Sequence, residues 1–109
     1  METIEQKIQT KIVRDNLEII ILKIINQQPT HGYQIMVKIN KTYNIHLNFG
    51  IIYKILYNLE QDKQITSTWD TTKRQPRKTF TITPTGKTTL ETYQTTLKNL
   101  YTTLNNNTI

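Results

Sequence analysis

A chain of 109 residues is long enough for one small domain with a modest core and too short for two. Its formal net charge of +6 and pI near 9.6 suit a polyanionic partner, either nucleic acid or an anionic membrane surface. Cysteine is absent, which excludes disulfide frameworks, thiolate metal sites and thiol nucleophiles. The strongest apolar run, Ile19 to Leu22, stops at Lys23 and is far too short for a membrane span.

The charge is unevenly placed. Residues 1–64 carry eight cations against six anions, residues 65–87 carry five against one, and the remainder is neutral, so most of the excess sits in one short segment. The first residues, Met-Glu-Thr-Ile-Glu-Gln-Lys, lack the basic start and apolar stretch of a secretion signal, so a soluble cytoplasmic protein is expected. Ile, Asn, Lys and Thr dominate while alanine is missing, a bias that fits AT-rich codon usage rather than low complexity.

Ile4, Ile8 and Ile12 recur every four residues among polar ones, which predicts a short amphipathic helix over residues 1–15. Asn16 to Gln27 is a second helix. Leu17, Ile20, Ile21, Ile24 and Ile25 form one apolar stripe, and Ile19 and Leu22 point elsewhere, so the helix should be buried on two sides. Gln27-Gln28-Pro29 ends it, because the residue before proline is pushed out of the helical region. A third helix starts near Thr30 or His31 and runs to about Tyr43, with Ile35, Met36, Ile39 and Tyr43 inward.

After a connection of four residues comes the stretch Asn48 to Gln61. Ile52, Ile55, Leu56 and Leu59 fall on one face, and Asn48 is a good N-cap for the orphan amides of the first turn. The other face carries Tyr53, Lys54, Tyr57, Asn58 and Gln61 with no carboxylate before Glu60, side chains suited to phosphates and base edges. Two helices joined so closely, the second with such a face, describe a helix-turn-helix. Ile65 to Asp70 and Lys78 to Thr83 then alternate as strands, and Thr71 to Arg77 between them makes a hairpin whose tip carries a basic cluster. A solvated polar face and a solvated basic turn are the plain alternatives for each feature alone; their succession favours a nucleic-acid surface.

Three motifs at these positions resemble the PadR-like family of winged-helix transcriptional regulators. Pro29-Thr30-His31-Gly32-Tyr33-Gln34-Ile35 is similar to the family's Pro-x-His-Gly-Tyr-Glu-Ile, Gly50 to Leu56 to its Gly-Thr-Leu-Tyr-x-x-Leu, and Arg77 to Gly86 to its basic strand ending in Leu-Thr-x-x-Gly. The resemblance covers roughly residues 14–105. The chain departs from the pattern at Phe49, where the family usually has proline, at Ile51, where it has Ser or Thr, and at Lys63-Gln64, where it has Gly-Leu. It implies a mainly α fold with a small β-hairpin, a winged helix-turn-helix over residues 16–83, flanked by an accessory helix in 1–15 and a dimerisation helix in 84–109.

The resemblance places the helix from Asn48 in the major groove of double-stranded DNA and the hairpin tip as a wing on the backbone or minor groove. The chemistry agrees: Ile51 can contact a thymine methyl, Tyr53 and Lys54 can reach phosphate, and Asn58 can pair with adenine. Lys73, Arg74, Arg77 and Lys78 would release counterions and supply affinity for any sequence. With His31, Tyr33, Asn48 and Tyr57 these make up the expected DNA-binding residues.

Pro84 suits the first turn of a last helix with Thr83 as N-cap. Leu90, Tyr93, Leu97, Leu100 and Leu104 step by three and four, a seam just over two heptads long. Many of the other positions are threonine, each costing several tenths of a kcal/mol of helix propensity against alanine, so this helix needs a partner. The expected homodimer interface is this seam with Tyr101, together with Ile19 and Leu22. Tyr93 and Tyr101 raise the idea of an inter-subunit pore for a flat aromatic effector, as in some relatives of the family. Aromatics on a packing helix are more often core, and this helix has no tryptophan, so an effector is not favoured.

Enzymatic readings find little support. His31 and His46 lie in separate contexts with no carboxylate pair, nucleophile or metal-ligand spacing beside them, and the three glycines are isolated, so no catalytic residues, metal or cofactor are expected. The expected function is a sequence-specific DNA-binding transcriptional repressor. The rival is an architectural protein that coats DNA with little sequence preference.

Overall fold

The computed structural model describes residues 1–109. Five helices and three short strands follow in the order α1 (Ile4–Asp15), α2 (Leu17–Gln27), β1 (Thr30–His31), α3 (Gly32–Tyr43), α4 (Phe49–Gln61), β2 (Ile65–Asp70), β3 (Arg77–Ile82) and α5 (Pro84–Asn105). Three helices begin at the caps read from the sequence or at an equivalent one. The Thr3 hydroxyl and Gln6 amide form a capping box at α1, Asn48 Oδ1 accepts from the Ile51 amide at 3.0 Å, and Thr83 Oγ1 accepts from the Gly86 amide at 3.0 Å. No helix is long and apolar enough to cross a membrane.

The hairpin is one strand larger than expected. Thr30 and His31 extend rather than opening α3, and pair antiparallel with Phe80 and Thr79, giving a sheet of order β1-β3-β2. Pro29 favours this, because it fixes an extended entry, and the buried Thr30 hydroxyl finds Gln34 Oε1 at 3.1 Å. The middle strand β3 pairs with β2 from Ile65 opposite Ile82 to Asp70 opposite Arg77.

The core is aliphatic. Ile21, Leu22 and Ile25 of α2, Ile35 and Ile39 of α3, Ile52, Leu56 and Leu59 of α4 and Ile65 of β2 have almost no exposed surface. Each such side chain contributes about 1.5–3 kcal/mol of transfer free energy, which is what holds α4 in place.

The orientation of α2 corrects the sequence reading. Ile19 and Leu22, expected to face a second subunit, are 6% and 0% exposed within one chain, while Ile20 and Ile24 are half-buried and line an open groove. The reason is that α2 packs on α4, β3 and α5 together, so a helix with seven apolar residues offers its core the side that touches the most neighbours. Leu90 is likewise a core residue of its own chain, 3% exposed, and not free to meet a partner. Further along α5, Tyr93 donates to Asn16 Oδ1 at 3.2 Å and Leu97 is half-buried, whereas Leu100, Tyr101 and Leu104 are exposed. Some threonines of α5 turn their hydroxyls back onto the helix itself: Thr88, Thr96 and Thr102 each donate to the carbonyl four residues earlier.

Candidate nucleic-acid interface

The turn between α3 and α4 is set by backbone chemistry. Asn44 adopts the left-handed region at φ 54°, and the Ile45 amide donates back to the Asn40 carbonyl at 3.2 Å, which closes α3. The Asn40 side chain then clamps the connection from both sides, donating to the Leu47 carbonyl at 3.0 Å and accepting from the Leu47 amide at 2.9 Å. Ile45 and Leu47 bury their side chains beneath. Asn40 therefore aims α4, a role that nothing in the pattern of α3 marks out, since a polar residue at a helix end is commonplace.

On α4, Tyr53, Lys54, Tyr57 and Asn58 are all exposed. Two other expected contacts are changed. Ile51 is half-buried against the core, so its methyls are largely spent on packing, and Asn48 Oδ1 is committed to its cap bond. Glu60 does not oppose the basic face: its carboxylate accepts from Ser67 Oγ at 2.6 Å and pairs with Lys78 Nζ at 3.6 Å.

That ion pair corrects the reading of four equivalent wing cations. Lys78 is half-buried, tied to Glu60, and its ammonium lies 5.8 Å from the Trp69 ring centre and 5.9 Å from that of Phe80. Lys73, Arg74 and Arg77 are exposed with no ion pair. They gather with Gln75 at the tip of the wing around a shallow concavity that no hydrophobic residue lines. At the base of the tip, Asp70 accepts from the Thr72 hydroxyl at 2.6 Å and the Thr72 amide at 3.0 Å; these bonds, hydroxyl first, hold its pKa below the usual carboxylate value.

His31 is half-buried in the sheet. Its Nδ1 stands 3.2 Å from the Lys78 carbonyl and 3.3 Å from Thr79 Oγ1, so this nitrogen fastens β1 to β3. Tyr33, the second residue of α3, is 64% exposed. It borders a cleft of about 330 Å³ between the start of α4 and the wing, whose walls include Phe49, Tyr53 and Trp69. Phe49 and Trp69 were not legible as surface-site residues, although a lone tryptophan on a polar strand and a phenylalanine in place of the family's proline were the available signals. No group of three or more His, Asp or Glu comes together as a metal site.

Comparison with known proteins places this geometry. Among curated proteins no significant match is found. The model of the transcriptional regulator PadR-like family matches residues 21–92. Among solved structures, a PadR-like transcriptional regulator from Bacillus cereus is 31% identical, with a TM-score of 0.77 over 88% of this chain and 94% of that one. A PadR family transcriptional regulator from Eggerthella lenta has a TM-score of 0.82 at 21% identity, over 94% of this chain and 90% of its own, which shows the common fold. The match runs from the middle of α2 through the first turns of α5 and takes in the helix-turn-helix and the wing, so this chain is a winged-helix protein that belongs to the PadR-like family of transcriptional regulators.

Proposed function

We propose that the protein is a homodimeric, sequence-specific double-stranded DNA-binding repressor, with α4 in the major groove and the β2–β3 wing on the adjoining backbone or minor groove. One observation carries this reading. The exposed face of α4 presents Tyr53, Lys54, Tyr57 and Asn58 without a competing carboxylate, next to a wing whose Lys73, Arg74 and Arg77 have no internal ion pair. Residues 16–83 would form the DNA-binding unit, and residues 1–15 and 84–109 would join two copies. In support of the dimer, Leu100, Tyr101 and Leu104 at the far end of α5 and Ile4, Ile8 and Ile12 on α1 are all more than half exposed, large apolar side chains that a second copy would cover. The groove of about 530 Å³ beside α2, walled by Ile20, Ile24, Tyr43 and Leu97, takes in Ile12 of the α1 set and reaches α5 at Leu97, three residues before Leu100.

The experiment is a titration of the full chain against its own promoter and against random DNA of the same length at several salt concentrations, with Asn58→Ala alongside. A sequence-reading α4 gives a promoter preference that falls by about 1–3 kcal/mol in the variant. The alternative, a DNA-coating architectural protein, draws on the half-buried Ile51 and the spent Asn48 carbonyl, which leave few groups for base edges. Equal affinity for both DNAs would select it.

A further inference from the structure

Aromatic side chains crowd the cleft between the start of α4 and the wing, and the core does not use most of them. Tyr33, Phe49, Tyr53 and Trp69 are 64%, 42%, 49% and 61% exposed, while Phe80 closes the floor at 4%. Large rings left this open in one place mark a binding surface rather than packing. Phe49 and Tyr53 stand 6.1 Å apart with their planes inclined by 38°, and Trp69 lies across from them on the edge strand β2.

The cleft volume of about 330 Å³ is at the lower end of the range of about 300–1,000 Å³ for small-ligand sites, which suits one planar ring system. Its rim is cationic. Arg77 is exposed without an ion pair, Lys78 is held by Glu60, and no carboxylate lines the walls. Aromatic faces around a void with a free guanidinium at the edge match a flat ring that carries an anion, the chemistry of a nucleotide.

Resting on the DNA reading above, the position narrows the choice. With α4 in one groove and the wing beside the next, the strand between them runs over this cleft. Paired bases in a duplex are stacked away from it, and an unpaired base swings outward at the least cost. We propose that the cleft takes a single unpaired nucleotide, its base stacked among Tyr33, Tyr53 and Trp69 and its phosphate on Arg77. The protein then binds duplex DNA containing an unstacked base in preference to the fully paired duplex. Stacking on aromatic rings is indifferent to base identity, so the preference follows unpairing rather than sequence.

Trp69 is the only tryptophan, so its fluorescence reports stacking directly. The full chain is titrated with a paired duplex, with the same duplex carrying one bulged thymidine, and with an abasic sugar in place of that thymine. The bulged thymidine should quench Trp69 and bind about tenfold tighter than the paired duplex, and the abasic bulge should do neither, since it keeps the phosphate and the bend but has no base. With labelled DNA, Trp69→Ala should lose the bulge preference and retain its affinity for paired duplex. Equal affinity for the thymidine and abasic bulges overturns the proposal and leaves duplex binding standing. Failure to bind any of the three DNAs overturns both.

Discussion

Lys63 shows what a single residue can cost. At φ 61° it occupies the left-handed region directly after α4, where its amide donates to the Glu60 carbonyl at 3.0 Å and the Gln64 amide reaches the Leu59 carbonyl at 2.9 Å. This is the helix ending that glycine makes without a Cβ penalty, and the family pattern has glycine at this place. Lys63→Gly should therefore stabilise the chain by up to about 1 kcal/mol, part of the gain being offset by the greater freedom of glycine in the unfolded state. Thermal unfolding checks it, with a rise of about 4 °C at most for that energy. The departure was visible in the sequence; the turn geometry that made it costly was not, since Lys-Gln carries no turn signal. Asp70 gives a pH prediction of definite sign. Its pKa is lowered on folding, so its bonds to Thr72 contribute fully above the unfolded value of about 3.9 and are lost as pH falls through the lower folded value. Exchange of the Thr72 amide, followed by NMR, should accelerate relative to other wing amides only on acidification below that range.

At the scale of the element, the wing separates charge from fold. Lys78 is bound into the sheet by Glu60 and two aromatic rings, so its removal should disturb packing as well as charge. Arg74 and Arg77 are exposed and pair with nothing, and replacing both with alanine should leave the melting temperature unchanged or slightly higher by easing like-charge repulsion. DNA affinity should fall by a similar factor for every sequence. In a dimer the slope of log affinity against log salt should shrink by up to about 3.6, at about 0.9 for each lost phosphate contact. An unchanged slope would remove the wing from the interface. The helices and both long strands were legible because their apolar periods are clean. Strand β1 was not, since two residues have no period, and its extension depends on finding Phe80 and Thr79 far along the chain.

For the whole molecule, the apolar residues divide into two populations that sequence spacing alone could not sort. The heptad steps from Leu90 to Leu104 look uniform, yet the first half packs on its own chain and the second half stands clear of it. The same holds for α2, where apolar residues fall on two sides and the stripe through Ile20 and Ile24 did not reveal that Ile19 and Leu22 are buried in the fold. The proposed dimer therefore predicts different outcomes at the two ends of α5. Leu100→Asp should dissociate the assembly into monomers that keep a folded winged helix, whereas Leu90→Asp should unfold the chain by burying an unpaired charge. Analytical ultracentrifugation with circular dichroism distinguishes these, and a wild-type chain that sediments as a monomer at micromolar concentration would remove the dimer.

The junction at Thr83 joins these scales. Its hydroxyl donates to the Lys63 carbonyl at 2.7 Å, its amide to the Gln64 carbonyl at 3.1 Å, and Gly86 packs so closely there that a methyl group would overlap the Gln64 carbonyl oxygen. The root of α5 is thus bolted to the exit of α4. A helix of 22 residues is about 33 Å long, so a tilt of a few degrees at this fulcrum carries its tip by a couple of ångströms. Run in reverse, the grip of a second copy on Leu100 and Leu104 in the proposed dimer would act at the end of a long lever arm whose short arm is α4. Two such levers locked tip to tip would fix the distance between the paired α4 helices, and with it the phase along the double helix at which both can enter their grooves.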